Sequence, residues 1–87
     1  MKQEKRVLIR TYSAGVHFGE LVKREGQEVH LKNARRLWSW TGALSLSEVA
    51  SKGVELKNSK ISVPVEEIIL TQATEIISIS ATSNLPS

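Results

Sequence analysis

Within residues 27–33 the stretch 28–32 alternates strictly between polar and apolar: Val29 and Leu31 fall on one side of an extended segment, and Glu28, His30 and Lys32 on the other. A helix cannot satisfy a period of two, so this stretch is a strand with one face on a core. Its surroundings extend the reading. Residues 7–12 are rich in β-branched and aromatic side chains and run into Ser13-Ala14-Gly15, a turn signal. Residues 16–22 form a second run, and a turn at Glu25-Gly26 returns the chain into the alternating segment. Residues 34–41 continue extended, with Arg36, Trp38 and Trp40 on one face and Arg35, Leu37 and Ser39 on the other. The links are short, which favours an antiparallel meander. Gly19 lies inside a strand and predicts a bulge or a sharp bend. The expected class is therefore mainly β: a small antiparallel, strongly bent sheet, or a small barrel.

The second half begins differently. Ser45-Leu46-Ser47-Glu48 fits a capping box, Leu46, Val49 and Ala50 recur at helical spacing, and Gly53 stands where a C-terminal cap belongs. One short inserted helix is expected at about 46–52. Pro64, within 61–65, argues for an edge strand or an irregular start. Residues 66–79 fit either state. Val65, Ile68, Ile69, Ala73, Ile76 and Ile77 can line a helix, but the stretch is dense in Ile and Thr, which favour strands. Two strands hinged near Gln72-Ala73 are the reading adopted. Residues 82–87 read as a flexible tail on a single domain covering 1–81.

Eighty-seven residues supply a lean core, and the chain has no cysteine with which to staple it. Oligomerisation or a ligand is the expected supplement, and a homo-oligomer is the natural form. No apolar run approaches the roughly 18–20 residues of a membrane span, so neither a membrane role nor a signal peptide is expected, and the setting reads as cytoplasmic. Asp and Cys are absent, the nine acids are all Glu, and the imidazoles are His17 and His30. Metal ligands lack a third partner at a recognisable spacing, and each His reads as solvated or singly hydrogen-bonded. None of the eleven serines sits in a nucleophile motif. An enzyme is not expected, nor a cofactor. Binding remains.

Charge is uneven, with nine Lys/Arg against four Glu up to residue 43 and three Lys against five Glu beyond it. The basic half suits a compact anion at least as well as a long polyanion. Within it, Asn33-Ala34-Arg35-Arg36-Leu37-Trp38-Ser39-Trp40 places flat indoles beside guanidinium forks, a pairing suited to a nucleotide. The same pattern also suits a subunit interface, where Trp and Arg are enriched. Arg10-Thr11-Tyr12-Ser13-Ala14-Gly15 is the second cluster, at a strand end whose turn amides can meet an anion. The candidate ligand residues are Arg10, Thr11, Tyr12 and Ser13 with Asn33, Arg35, Arg36, Trp38 and Trp40. Indole stacks on a base, Arg holds phosphate, and the others bond ribose or base edges.

Four segments carry a resemblance: Arg10 to Gly15, Lys32 to Ala43, Leu44 to Ala50 and Val65 to Thr71. Together they resemble a family of small uncharacterised proteins of phages and prophages. The strands at 16–22 and 28–34 are also similar to the bent second and third strands of Sm-like and SH3-like barrels. The chain departs from those by lacking an evident N-terminal helix and by inserting one at 46–52. The phage resemblance implies action in a host cytoplasm as an anti-defence protein: a sponge that sequesters a nucleotide immune signal, cyclic or derived from ADP-ribose, without cleaving it. An Sm-like module for single-stranded RNA and a direct protein inhibitor of a host factor are the alternatives.

Overall fold

The computed structural model describes residues 5–13, 15–43 and 45–86. The parts of the expected elements that fall on residues 1–4, Ala14, Leu44 and Ser87 lie outside the described residues. Six strands and one helix follow in the order β1 (Arg6–Thr11), β2 (Val16–Glu25), β3 (Glu28–Ser39), α1 (Leu46–Lys52), β4 (Lys60–Ile61), β5 (Val65–Leu70) and β6 (Ala73–Ser78), with a single 3-10 turn at Leu56–Asn58 before β4. All pairings are antiparallel. The path runs β4-β3-β2-β1-β6, and β5 pairs with β3. The class is mainly β, as the sequence implies.

β1 has a strand on each side, β2 and β6. Val7, Leu8 and Ile9 are consecutive and all buried, so this strand is covered on both faces. On one face Val7 and Ile9 meet Val29, Leu31, Ala34, Leu70 and Ala73. On the other, Leu8 meets Phe18, Leu37, Val49, Ala50, Val54 and Leu85. The bent sheet encloses the first cluster; the second lies between sheet and helix. Full burial of each large apolar side chain contributes roughly 1.5–3 kcal/mol, and neither cluster alone is large.

Residues 65–78 adopt the two-strand alternative. β5 lies on β3, from Val29↔Leu70 to Ala34↔Val65, and β6 lies on β1, with Ile9 opposite Ile76. The hinge at Thr71-Gln72 hands the chain from one partner to the other. Each half thus satisfies its backbone on a different strand, and the sheet folds over its own core. No ladder joins β5 to β6, so the barrel alternative gives way to a bent sheet that is not closed.

Two one-residue bulges in β3 decide which side chains face where. Phe18 pairs with Arg35 but Glu20 pairs with Lys32, so β3 carries an extra residue opposite Gly19. Asn33 absorbs it with a φ of 49°. Gly19 permits the close approach, because a Cβ there would stand 2.9 Å from the Lys32 carbonyl oxygen and 3.0 Å from the Ala34 Cα. Beyond the bulge Ala34, not Asn33, joins Val29 and Leu31 in the first core. The second bulge falls at Trp38, since Leu37 pairs with Ile61 and Ser39 with Lys60. It brings Trp40 round to the side of Leu37 and leaves Trp38 outside. The expectation that Arg36, Trp38 and Trp40 share one face fails for this reason: strict alternation does not survive a bulge.

The helix occupies the span expected of it. The Ser45 hydroxyl accepts from the Glu48 amide at 3.3 Å, and Val49 and Ala50 are buried beneath. It ends at Gly53, with φ 95°, where any Cβ would collide with the side chain of Asn84. Residues 82–86 differ from the expected flexible tail. The Asn84 amide group accepts from the Val54 N–H at 2.9 Å and donates to the Val54 carbonyl at 2.7 Å, replacing a pair of ladder bonds. Leu85 enters the second core, and Arg6 Nη2 donates to the Pro86 carbonyl at 2.6 Å. A polar composition hid one apolar anchor and one amide that docks on a backbone.

Gly19→Ala should therefore lower stability by about 1–3 kcal/mol, since the clash is with backbone; a variant as stable as the parent in urea unfolding would place the strands further apart. Asn84→Ala should cost roughly 1–3 kcal/mol through the two orphaned Val54 groups. Truncation after Ala81 should cost more, as it also removes Leu85. A truncated chain with an unchanged unfolding midpoint would restore the loose-tail reading.

Candidate ligand-binding site

Side chains directly opposite on paired strands share a face. Ile9, His17 and Arg36 are such a row across β1, β2 and β3, and it faces the first core. Arg10, Val16 and Leu37 are the next row and face the helix side. Arg10 and Arg36, both expected to hold phosphate, therefore stand on opposite faces of the sheet.

The row with Arg36 opens into a cleft of about 250 Å³, bounded by His17, Ala34, Arg36, Trp38, Val65 and Ile68. Its floor is apolar and its rim is cationic. Arg35 and Ser62 complete it: Arg35 Nη1 donates to the Ser62 carbonyl at 3.1 Å, and the Arg36 amide donates to Ser62 Oγ at 2.8 Å. An adjoining hollow of about 370 Å³ is bounded by Ser13, Gly15, Val16, Leu37 and again by Arg36 and Trp38. A third, of about 320 Å³, runs from Trp38 to Ser59, Lys60, Ile61 and Ser62. Trp38 is 65% exposed and borders all three. The bulge that expelled it from the sheet has made it a free-standing flat wall.

The other expected residues separate. Trp40 and Arg10 line a different concavity, of about 440 Å³, with Ser45, Leu46, Ser47 and Glu75. There Arg10 approaches Glu75 at 3.9 Å. Thr11 is turned to the strand end, its hydroxyl and its amide both donating to the Gly15 carbonyl at 2.7 and 3.0 Å. Tyr12 is 82% exposed, and Ser13 donates to the Gln72 side chain while lining the second hollow. Asn33 serves its bulge and donates to Glu20 Oε2 at 2.8 Å. Arg35, Arg36, Trp38 and Ser13 are thus brought together; Arg10 and Trp40 form a pair elsewhere.

His17 is the residue whose importance the sequence understated. It is 2% exposed, and its Nε2 accepts from Arg36 Nε at 3.3 Å. The hydrogen of the neutral ring then sits on Nδ1, which is buried and has no partner among the described residues. An orphaned buried donor costs about 1–3 kcal/mol. Burial, and then the charge of Arg36, lower the His17 pKa from 6.5 to about 4. The available signal was its position between Val16 and Phe18 on a strand, opposite an arginine. His30, in contrast, contacts Glu28 Oε2 at 2.8 Å on the outer surface.

Chemically, the cleft offers an apolar slot, one exposed indole and a full cation, with no carboxylate among its lining residues. No three potential metal ligands converge among the described residues. No helix among them is long and apolar enough to cross a membrane.

The depressed pKa has a measurable consequence. Between 6.5 and about 4 the unfolded chain binds a proton at His17 and the folded chain does not. This contribution to stability is complete above the upper value and is lost as pH falls toward the lower one, at about 1.4 kcal/mol per unit and roughly 3 kcal/mol in all. In urea unfolding from about pH 7.5 to about pH 4, the parent should lose that much more than His17→Leu. Parallel curves for the two would mean that His17 charges freely in the fold.

No curated protein matches this chain, and no solved structure does. One family model covers nearly the whole of it, at residues 4–85, and by that match the chain belongs to the family described as a domain of unknown function, DUF6948.

Proposed function

We propose that this protein is a non-catalytic binding module that holds an adenine-containing nucleotide, and that it acts as a sponge for a cyclic or ADP-ribose-derived immune signal in the cytoplasm of a phage-infected cell. One observation carries the reading: Trp38 stands exposed at the junction of an apolar slot and a hollow that share Arg36. A base enters the slot against Ala34, Val65 and Ile68 and stacks on the indole, a contact of about 1–3 kcal/mol. The phosphate end stays with the cations. The absence of Asp and Cys supports holding over cleaving, and the resemblance to phage proteins supplies the setting.

The slot, at about 250 Å³, falls just below the roughly 300–1,000 Å³ of most ligand sites. A second copy packed on the neighbouring surface would deepen it, and Val63 and Val65 stand exposed there. The reading therefore includes a homo-oligomer.

Thermal-shift titration with AMP, ADP-ribose, cyclic ADP-ribose isomers and cyclic oligoadenylates tests the reading. At a ligand concentration of a hundred Kd the gain is about 2.7 kcal/mol, enough to raise Tm by roughly 10 °C or more. Heating the complex should release the ligand with its mass unchanged. Trp38→Ala should weaken binding roughly 5- to 150-fold, and Trp40→Phe should leave the quenching of indole fluorescence intact. The reading falls should no nucleotide raise Tm, or should Trp38→Ala bind as the parent does. Steeply salt-dependent binding of random-sequence RNA without any response to mononucleotides would replace it with an RNA module.

A further inference from the structure

We infer that Arg36, aimed by His17, is a phosphate-binding fork, and that the anionic group of the ligand lies in the hollow bounded by Ser13, Gly15, Val16 and Leu37. This assignment rests on the nucleotide reading only for the remainder of the ligand.

Arg36 is held in an unusual way. Its Nε–H is taken by the imidazole of His17, which the sheet clamps between Ile9 and Arg36 itself. Its two Nη groups have no partner among the described residues. A guanidinium bound through Nε is fixed in orientation and keeps its end-on pair of N–H groups for an acceptor with two oxygens. Among the described residues Arg10 pairs with Glu75 and Lys23 with Glu25, and Arg36 faces no carboxylate in this way. A carboxylate partner would orient it equally well but would cancel its charge. A neutral imidazole orients it and leaves the charge whole. Lysine in the same place would supply a point charge without the fork.

The surroundings agree with an anion. Arg36 and Trp38 form the wall between the apolar slot and the second hollow, so a ligand stacked on one side of the wall directs its substituent across it. Gly15 itself brings no side chain to that hollow, and a Cβ there would meet nothing within 4 Å among the described residues beyond its chain neighbours. His17 also carries an orphaned Nδ1 that a leucine would not. The imidazole costs stability where it lies, and what it does there is hold the Arg36 Nε–H. His17 is a positioning residue, and Arg36 is the contact.

Calorimetric titration of AMP, adenosine and pyrophosphate against the parent, His17→Leu, His17→Gln and Arg36→Ala provides the test, with Tm recorded for each. The parent should prefer AMP to adenosine by about tenfold or more. His17→Leu should bring the ratio of AMP to adenosine affinity close to one, at a Tm at pH 7.5 equal to or above that of the parent. His17→Gln, whose Oε1 can accept from Arg36, should recover the preference. Arg36→Ala should lose both the preference and pyrophosphate binding. A His17→Leu protein that melts lower and weakens AMP and adenosine equally would show a merely structural histidine and overturn the inference, as would a preference that survives the substitution. Adenosine binding without any preference for AMP in the parent would remove the fork and keep the base slot. Pyrophosphate binding that depends on Arg36, without adenosine binding, would keep the fork and remove the base slot. Binding of none of the three would remove both.

Discussion

Everything in this small sheet depends on how one long strand changes sides. β3 must give its first half to the inner core, beside β5, and its second half to the helix side, beside β4. A regular strand cannot do this, because its two faces are fixed by the pleat. The bulge at Asn33 makes the change, and it is possible only because β2 presents a glycine to the crowded turn of backbone. The two cores, and hence the burial of β1 on both faces, follow from that one accommodation.

The candidate site is a by-product of the same irregularity. Between the two bulges the strand offers a short regular window, Ala34 to Leu37, and the inward row of that window is completed by His17. The second bulge then ejects Trp38 at the window's edge. An exposed indole, a cation without a carboxylate and a buried imidazole without a second partner are each mildly unfavourable for a domain with so little core. Their coincidence in a single cleft distinguishes it from the solvated outer face, where Lys23 with Glu25 and His30 with Glu28 satisfy one another.

Much of this architecture was legible in the residues. Turn signals and period-two alternation delimited β1, β2 and the start of β3, and the Ser45-Glu48 box and Gly53 delimited α1. The density of Ile and Thr separated strand from helix at 65–78. Faces were less legible than elements. Once alternation is assumed, an extra residue at Asn33 or Trp38 reverses every later assignment, and neither residue announces it. Asn tolerates positive φ but is common on surfaces, while Trp gives no backbone signal. The separation of Trp40 from Trp38, and of Arg10 from Arg36, follows from those facts. The anchoring of residues 82–86 was hidden for another reason. A lone Leu85 shows no periodicity, and an asparagine that replaces ladder bonds looks like any loop asparagine.

The position of β1 has a consequence for how the molecule is made. Its hydrogen bonds are completed by β6, and the cover of its helix-side face by Leu85, while Arg6 reaches the carbonyl of Pro86. Of its two strand neighbours β2 follows directly, but β6 comes after every other strand. Closing a loop of that length precedes the contacts that reward it, which makes such sheets slow to form. Until then Val7, Leu8 and Ile9 present an open, apolar strand edge to whatever is nearby. The β1–β6 ladder is therefore the pairing expected to form last, and the side of β1 that it covers is the edge through which partly folded copies would pair with one another.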